Sequence, residues 1–309
     1  MAPLAFVGPN RVTAMPWKTT RFDIDLSEPQ VMGIVNLTPD SFSDGGQFHD
    51  PVHALRHCEQ LLKDGAHMLD IGGESTRPGS GGVSVEQELQ RVLPVVREAV
   101  KFNVPISVDT SKPEVMSAVL DLGADIINDV WALRRAGTDG GPSATDVVRA
   151  HPACGVCVMH MHGDPSTMQL QPMDGDVVPE VLLFLERSAQ ALQALGVQKA
   201  RIAIDPGIGF GKTVAQNYAL LARQSELLQP GYPLLVGWSR KSSIGAVSAD
   251  AQGNVPPAAQ RLGGSVAAAV LAAERGARIV RVHDVRETVQ ALQVWRAVAA
   301  QAGSLQRLV

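Results

Sequence analysis

Polar and charged residues recur in this chain just after a short apolar run and just before a turn rich in glycine, proline or serine. Asn36, Asp70, Asp109, Asn128, His160, Asp205, Ser239 and His283 all stand at such places. Asp109, Asn128 and Asp205 supply two carboxylates and an amide. Such a set can read a heterocycle edge of alternating donors and acceptors, or it can bind a metal. A single Asp after a strand is commonly a helix N-cap, but three at one rim exceed what capping requires. Arg281 and His283 are two residues apart, so on a strand they face the same side and together make an anion site.

Two loops add to this set. Residues 36–46 are dense in turn formers yet carry Phe42, and an aromatic in so long and polar a loop favours a lid or binding loop over a plain connection. Asn36 at its start could offer a carbonyl oxygen to a hard cation. Residues 72–82 place five glycines around Arg77. Glycines let backbone amides approach an anion closely, and a guanidinium clamps phosphate through two hydrogen bonds.

Two further motifs tempt and fail. Gly207 to Thr213 looks like a nucleoside-triphosphate loop, but the Walker spacing needs glycine at 206, where the chain has Pro206. Its glycines read instead as a tight turn that exposes Phe210. Cys154 and Cys157, near His160 and His162, suggest zinc, but cysteines three apart on a buried strand face opposite sides and cannot chelate one ion. Met159, His160 and Met161 at the end of that run could line a pocket.

Something must bring such scattered residues together. Apolar runs at 31–35, 67–71, 104–108, 125–127, 155–159, 201–204, 234–237 and 279–282 suit strands buried on both faces. Helix-like stretches at 53–63, 85–101, 113–122, 177–195, 214–221, 258–275 and 285–300 fill the gaps. Ser84 with Gln87 predicts a capping box, Pro113 a first helical position, and Gly65, Gly123, Gly196 and Gly276 helix ends. About eight strand–helix units predict an α/β fold of the (β/α)8 TIM barrel type, with a doubly wound Rossmann-like sheet as the fallback. In a parallel barrel every strand ends at the same rim, so all these residues would face one mouth. Residues 1–20 contain several prolines and no sustained period, and are expected to be an extension. Residues 21–309 form the single barrel domain, with one strand expected near 22–26.

Composition sets the limits. The 309 residues, 45% hydrophobic, suffice for one large core. A net charge of −4 gives no general electrostatic reason to bind nucleic acid or an anionic membrane, so an anionic ligand must be held by a few local cations. No apolar stretch approaches the roughly 20 residues of a membrane span. The N-terminal apolar segment stops at Gly8-Pro9, short of a secretion signal. Three cysteines make no disulfide framework, and a cytoplasmic location is expected.

Taken in order, the segments 31–46, 70–79, 108–113, 127–129, 159–161, 205–212, 239–242 and 281–285 closely resemble the motifs of the bacterial dihydropteroate synthase family. The resemblance runs from about Phe22 to the last helix; His162 stands where many relatives carry glutamine. It implies a transferase of folate biosynthesis that joins 6-hydroxymethyl-7,8-dihydropterin diphosphate to 4-aminobenzoate by an SN1-like step, with Mg²⁺ and as a sulfonamide target. It further implies that Asp109, Asn128, Asp205 and Lys241 hold the pterin, with Met159 nearby. Asn36 would bind the Mg²⁺, and Arg77, Arg281 and His283 the diphosphate. Phe42, Thr76, Pro78, Phe210, Ser239 and Lys241 would meet the aminobenzoate, and Asp109, Asp205, Lys241 and Arg77 would carry the catalysis. Asp70 and His160 are left as supports for their loops. The partners would be these small molecules and a second copy of the chain, joined through late helices. A corrinoid methyltransferase sharing the pterin pocket is the nearest rival, but it has no use for a diphosphate clamp.

Overall fold

The computed structural model describes residues 15–38, 51–75, 82–164, 167–168 and 170–305. A short antiparallel hairpin, β1 (Trp17–Lys18) with β2 (Asp23–Ile24), comes first. Eight parallel strands follow: β3 (Gln30–Asn36), β4 (Met68–Gly72), β5 (Ile106–Asp109), β6 (Ile126–Asp129), β7 (Gly155–Met159), β8 (Ile202–Asp205), β9 (Leu235–Val236) and β10 (Ile279–Val282). Their order is β8-β7-β6-β5-β4-β3-β10-β9, and a parallel bridge between Ile204 and Leu234 joins the two ends. The sheet therefore closes on itself as the expected barrel.

Strand alternation sorts the side chains into two populations. Val35, Ile71, Val108, Ile127, Val158 and Ile204 point outward and pack under the helices. Met32, Met68, Ile126, Cys157, Ala203 and Ile279 point inward and fill the N-terminal end of the barrel. Cys154 falls in the outer population and Cys157 in the inner one, as their spacing requires.

The helices are α1 (Pro51–Lys63), α2 (Val85–Ala99), α3 (Pro113–Asp121), α4 (Ala144–Ala150), α5 (Val177–Ala194), α6 (Val214–Ala222), α7 (Ser242–Val247), α8 (Leu262–Glu274) and α9 (Val285–Leu305). Ser84 and Gln87 make the capping box, Pro113 opens α3, and all four glycines expected at helix ends have positive φ. Neither α4 nor α7 is evident from periodicity; each is under two full turns, too short to show a repeat. The expected 258–275 helix starts at Leu262, because Ala258–Gln260 after Pro256 and Pro257 winds as a separate 3-10 turn.

Residues 15–20, expected to lie in the extension, are built into the barrel's N-terminal end. Trp17 is fully buried there, beside Leu26 and the inward layer, and its indole N–H donates to the Arg201 carbonyl at 3.0 Å. Arg21 then clasps the buried Asp125 through Nε at 3.0 Å and Nη2 at 2.5 Å. Trp17→Ala is expected to cost about 3–5 kcal/mol, the usual range for a fully buried large aromatic. Urea unfolding checks it, and a loss below about 1 kcal/mol would mean that the plug is not part of the cooperative core.

Candidate active site

Above the apolar inner layer, the same inward positions turn polar: Asp70 on β4, Asp109 on β5, Asn128 on β6, Asp205 on β8 and Arg281 on β10. Strand register carries these across the mouth. Asn36 pairs with Gly72, Gly72 with Asp109, Asp109 with Asn128, and Met159 with Asp205. The barrel's stagger thus takes one row from the rim at Asn36 down toward the floor at Cys157.

Arg281 is the centre of this layer. Its Nε donates to Asp70 Oδ2 at 2.6 Å and its Nη2 to Asp109 Oδ2 at 2.8 Å. The Asn128 amide also donates to Asp70 Oδ2, at 3.3 Å. Burial works against a charged guanidinium, but Asp70 and Asp109 outweigh it and raise the Arg281 pKa. Burial is also the main reason that the Asp109 carboxyl titrates above the usual range; Arg281 pulls the other way.

Opposite Arg281 lies a second charged group. Asp205 accepts the Gly207 N–H at 2.7 Å, and burial raises its pKa against that bond and the nearby Lys241 and Lys212. Lys241 is pushed down to about 8 by burial, with Asp205 opposing and Arg281 assisting. Its ammonium sits 4.3 Å from the centre of the Phe210 ring, a cation–π contact. Phe210 is not exposed by its turn as expected but is buried, because it packs with Met159, Met161, Met168 and Val130. One wall of the mouth is therefore apolar and ends in a cation.

Two local devices hold this wall. The turn bearing Ser239 and Lys241 forces Arg240 into a left-handed conformation, φ 60°. Asp284 grips its guanidinium at 2.5 and 3.1 Å, while Ser265 Oγ accepts its backbone N–H at 2.9 Å. Lys212 is the other device. Its Nζ donates to the carbonyls of Gly207 at 2.9 Å, Phe210 at 3.0 Å and His160 at 3.4 Å, binding the turns after β7 and β8 together. It faces its own loop, which agrees with the failed Walker match. A methyl group on Gly207 or Gly211 would run into the His160 or His162 carbonyl, so both positions need glycine.

The remaining expected residues fall as follows. Ser239 Oγ lies 3.0 Å from His283 Nδ1 and accepts the His283 backbone N–H at 3.1 Å. Asn36 closes β3 at the rim, half-buried. His160 is turned outward from the mouth, edge-on to Phe184 at 4.9 Å, and burial, with Lys212 second, lowers its pKa to about 3. Phe42, Thr76, Arg77 and Pro78 lie outside the described residues. The root of the loop that bears the last three is described: Glu74 accepts the Val83 N–H at 3.1 Å and the Lys112 ammonium at 2.8 Å, which also meets buried Glu88 at 2.5 Å.

Sequence reasoning missed the weight of Asp70. The available signal was a carboxylate in the middle of a strand that is otherwise wholly apolar, on the inward parity of Met68. No cluster of three or more His, Cys, Asp or Glu among the described residues could hold a metal. A single rim amide such as Asn36 fits an ion that keeps most of its waters and takes its other oxygens from a phosphorylated ligand, which is the habit of Mg²⁺.

The family model described as pterin binding enzyme matches residues 32–283. The chain is 50% identical over 288 residues to the dihydropteroate synthase of Neisseria meningitidis serogroup B, covering 91% of this chain and 97% of that one. Its fold matches Burkholderia cenocepacia dihydropteroate synthase complexed with 7,8-dihydropteroate at a TM-score of 0.81, with 46% identity over 94% of this chain and 99% of that one. It also matches the Yersinia pestis dihydropteroate synthase in a sulfonamide drug complex, at a TM-score of 0.84 and 44% identity, covering 93% and 100% of the two chains.

Proposed function

This chain belongs to the pterin-binding enzymes and, within them, to the dihydropteroate synthase family, and from that membership we infer how its barrel mouth divides the work. The reaction joins 6-hydroxymethyl-7,8-dihydropterin diphosphate to 4-aminobenzoate and releases 7,8-dihydropteroate and diphosphate.

Asp109, Asn128, Asp205 and Lys241 read the edge of the pterin ring, which lies against Met159. The observation that carries this is the inward side of the barrel mouth, where Asp109 and Asn128 pair across β5 and β6 and Asp205 ends β8, two carboxylates and an amide above the apolar floor. Arg281 and His283, with Arg77, hold the diphosphate. Phe210, Ser239 and Lys241, with Phe42, Thr76 and Pro78, receive the aminobenzoate, and sulfonamides compete there.

When the carbon–oxygen bond to diphosphate breaks, its electron pair leaves with the diphosphate, and a methylene conjugated to the pterin is left positive. Asp109 and Asp205 stabilise that charge from a site with little water to screen them. Arg281 and His283 hold the departing anion. The aniline nitrogen then forms the new carbon–nitrogen bond and gives up its extra proton, so no protein nucleophile is needed. Mg²⁺, held by Asn36 when bound, supplies further neutralisation of the diphosphate charge.

Purified protein given both substrates and Mg²⁺ is expected to form dihydropteroate and diphosphate in equal amounts. Folded protein that yields neither product overturns this reading. A homodimer in the cytoplasm completes it. Exposed Leu262 and Leu271 on α8 and Val294 and Val298 on α9 support a paired surface, and none of the described helices is long and apolar enough to cross a membrane. Sedimentation as a monomer at working concentration would remove the dimer.

A further inference from the structure

Asp70, expected from the sequence only to support its loop, is fully buried beneath the mouth, and its Oδ2 serves two donors, Arg281 Nε and Asn128 Nδ2. Its Oδ1 is also buried and has no hydrogen-bond partner. A carboxylate so deep is costly unless it is paired, and Arg281 is its only charged partner among the described residues. The pair fixes one edge of the guanidinium. Through its Nε bond Arg281 is pinned to β4, while Nη2 reaches toward Asp109 and the mouth.

Asp70 and Asp109 both bond Arg281, while Asp205 faces Lys241 and Lys212. With Asp70 as the counter-ion of Arg281, Asp109 is not needed to neutralise the guanidinium and stays beside the ring. Were Asp70 uncharged, the buried guanidinium would have to take Asp109 as its counter-ion, and that carboxylate would be lost to the ring.

We propose that Asp70 is the positioning residue for Arg281: it holds the Nε edge so that the outer nitrogens serve the diphosphate and Asp109 stays available to the pterin. This rests on the assignment of Arg281 to the diphosphate. Asp70 itself touches neither substrate in this scheme and acts through the arginine.

The test compares binding of the pterin diphosphate with binding of 6-hydroxymethyl-7,8-dihydropterin, which lacks the diphosphate, by calorimetry. Wild-type protein should prefer the diphosphate form, and Asp70→Asn should lower that preference about tenfold or more, the scale of one charged hydrogen bond. In an Arg281→Ala background the same Asp70 substitution should change the preference less than about twofold, since its route of action is gone. Arg281→Lys keeps the charge but lacks the fork needed to meet Asp70 and Asp109 together, so it should fall to the level of Asp70→Asn and covers the case in which that variant does not fold. An equal loss from Asp70→Asn with and without Arg281, or full preference in Arg281→Lys, overturns the proposal. Wild-type protein that binds both ligands equally overturns the diphosphate assignment itself, and this inference with it.

Discussion

Asp205→Asn is expected to lower kcat/KM by about a thousandfold while leaving the fold intact, because it removes charge where charge develops in the transition state. The asparagine is nearly isosteric, and its carbonyl oxygen can still accept the Gly207 N–H that Asp205 accepts at 2.7 Å. Its NH2 then presents a donor where the ring also presents donors. In the proposed mechanism, the positive methylene formed on departure of diphosphate then loses one of its two carboxylates. A second consequence follows from Lys241. Burial lowers that ammonium, and Asp205 is the first group that raises it again. Without the carboxylate, Lys241 should lose its proton at lower pH than the wild-type value of about 8, so the alkaline fall of kcat/KM should move toward neutrality. Diphosphate release measured across pH checks both effects, alongside a thermal melt. Activity within about tenfold of wild type, in a variant that melts normally, would take Asp205 out of the charge-stabilising role.

The barrel was legible because its signals are local. Runs such as 31–35 and 155–159 are apolar on both faces, helix ends carry glycine, and Ser84 with Gln87 caps α2 as its spacing predicts. What stayed hidden depends on contacts between residues far apart in the chain. Trp17 lies in a proline-rich stretch without period, and only the closed barrel provides an end for it to plug. Arg240 in the left-handed region is explained by Asp284 and Ser265, neither of which is a sequence neighbour. The site shows the same division. Alternation places Arg281 and His283 on one side, but it does not say that Arg281 reaches back to Asp70, 211 residues away. Lys212 looks like a ligand lysine after a glycine turn; its three carbonyl partners show it to be a brace.

Lys241 gives the second large effect, and the choice of substitution separates its charge from its shape. In the wild-type protein the ammonium is protonated below its pKa of about 8 and loses its proton as pH rises through that value. Activity that needs the cation should therefore be complete below about 8 and fall above it, whereas an acid limb is expected from Asp109, whose carboxyl titrates above the ordinary range because it is buried. Lys241→Met removes the cation over Phe210 and, with it, the contacts proposed with both substrates, and kcat/KM should fall about a thousandfold. Lys241→Arg keeps a charge that does not titrate below about pH 12. It can still stack on the ring, so it should retain more activity than the methionine variant and show no alkaline limb near pH 8. Burial of the larger head against Gly209, whose would-be Cβ lies 3.4 Å from Lys241 Cδ, will cost some of that activity. An alkaline limb that persists unchanged in Lys241→Arg would assign it to another group, and Lys241 would then bind the substrates without setting the upper pH limit.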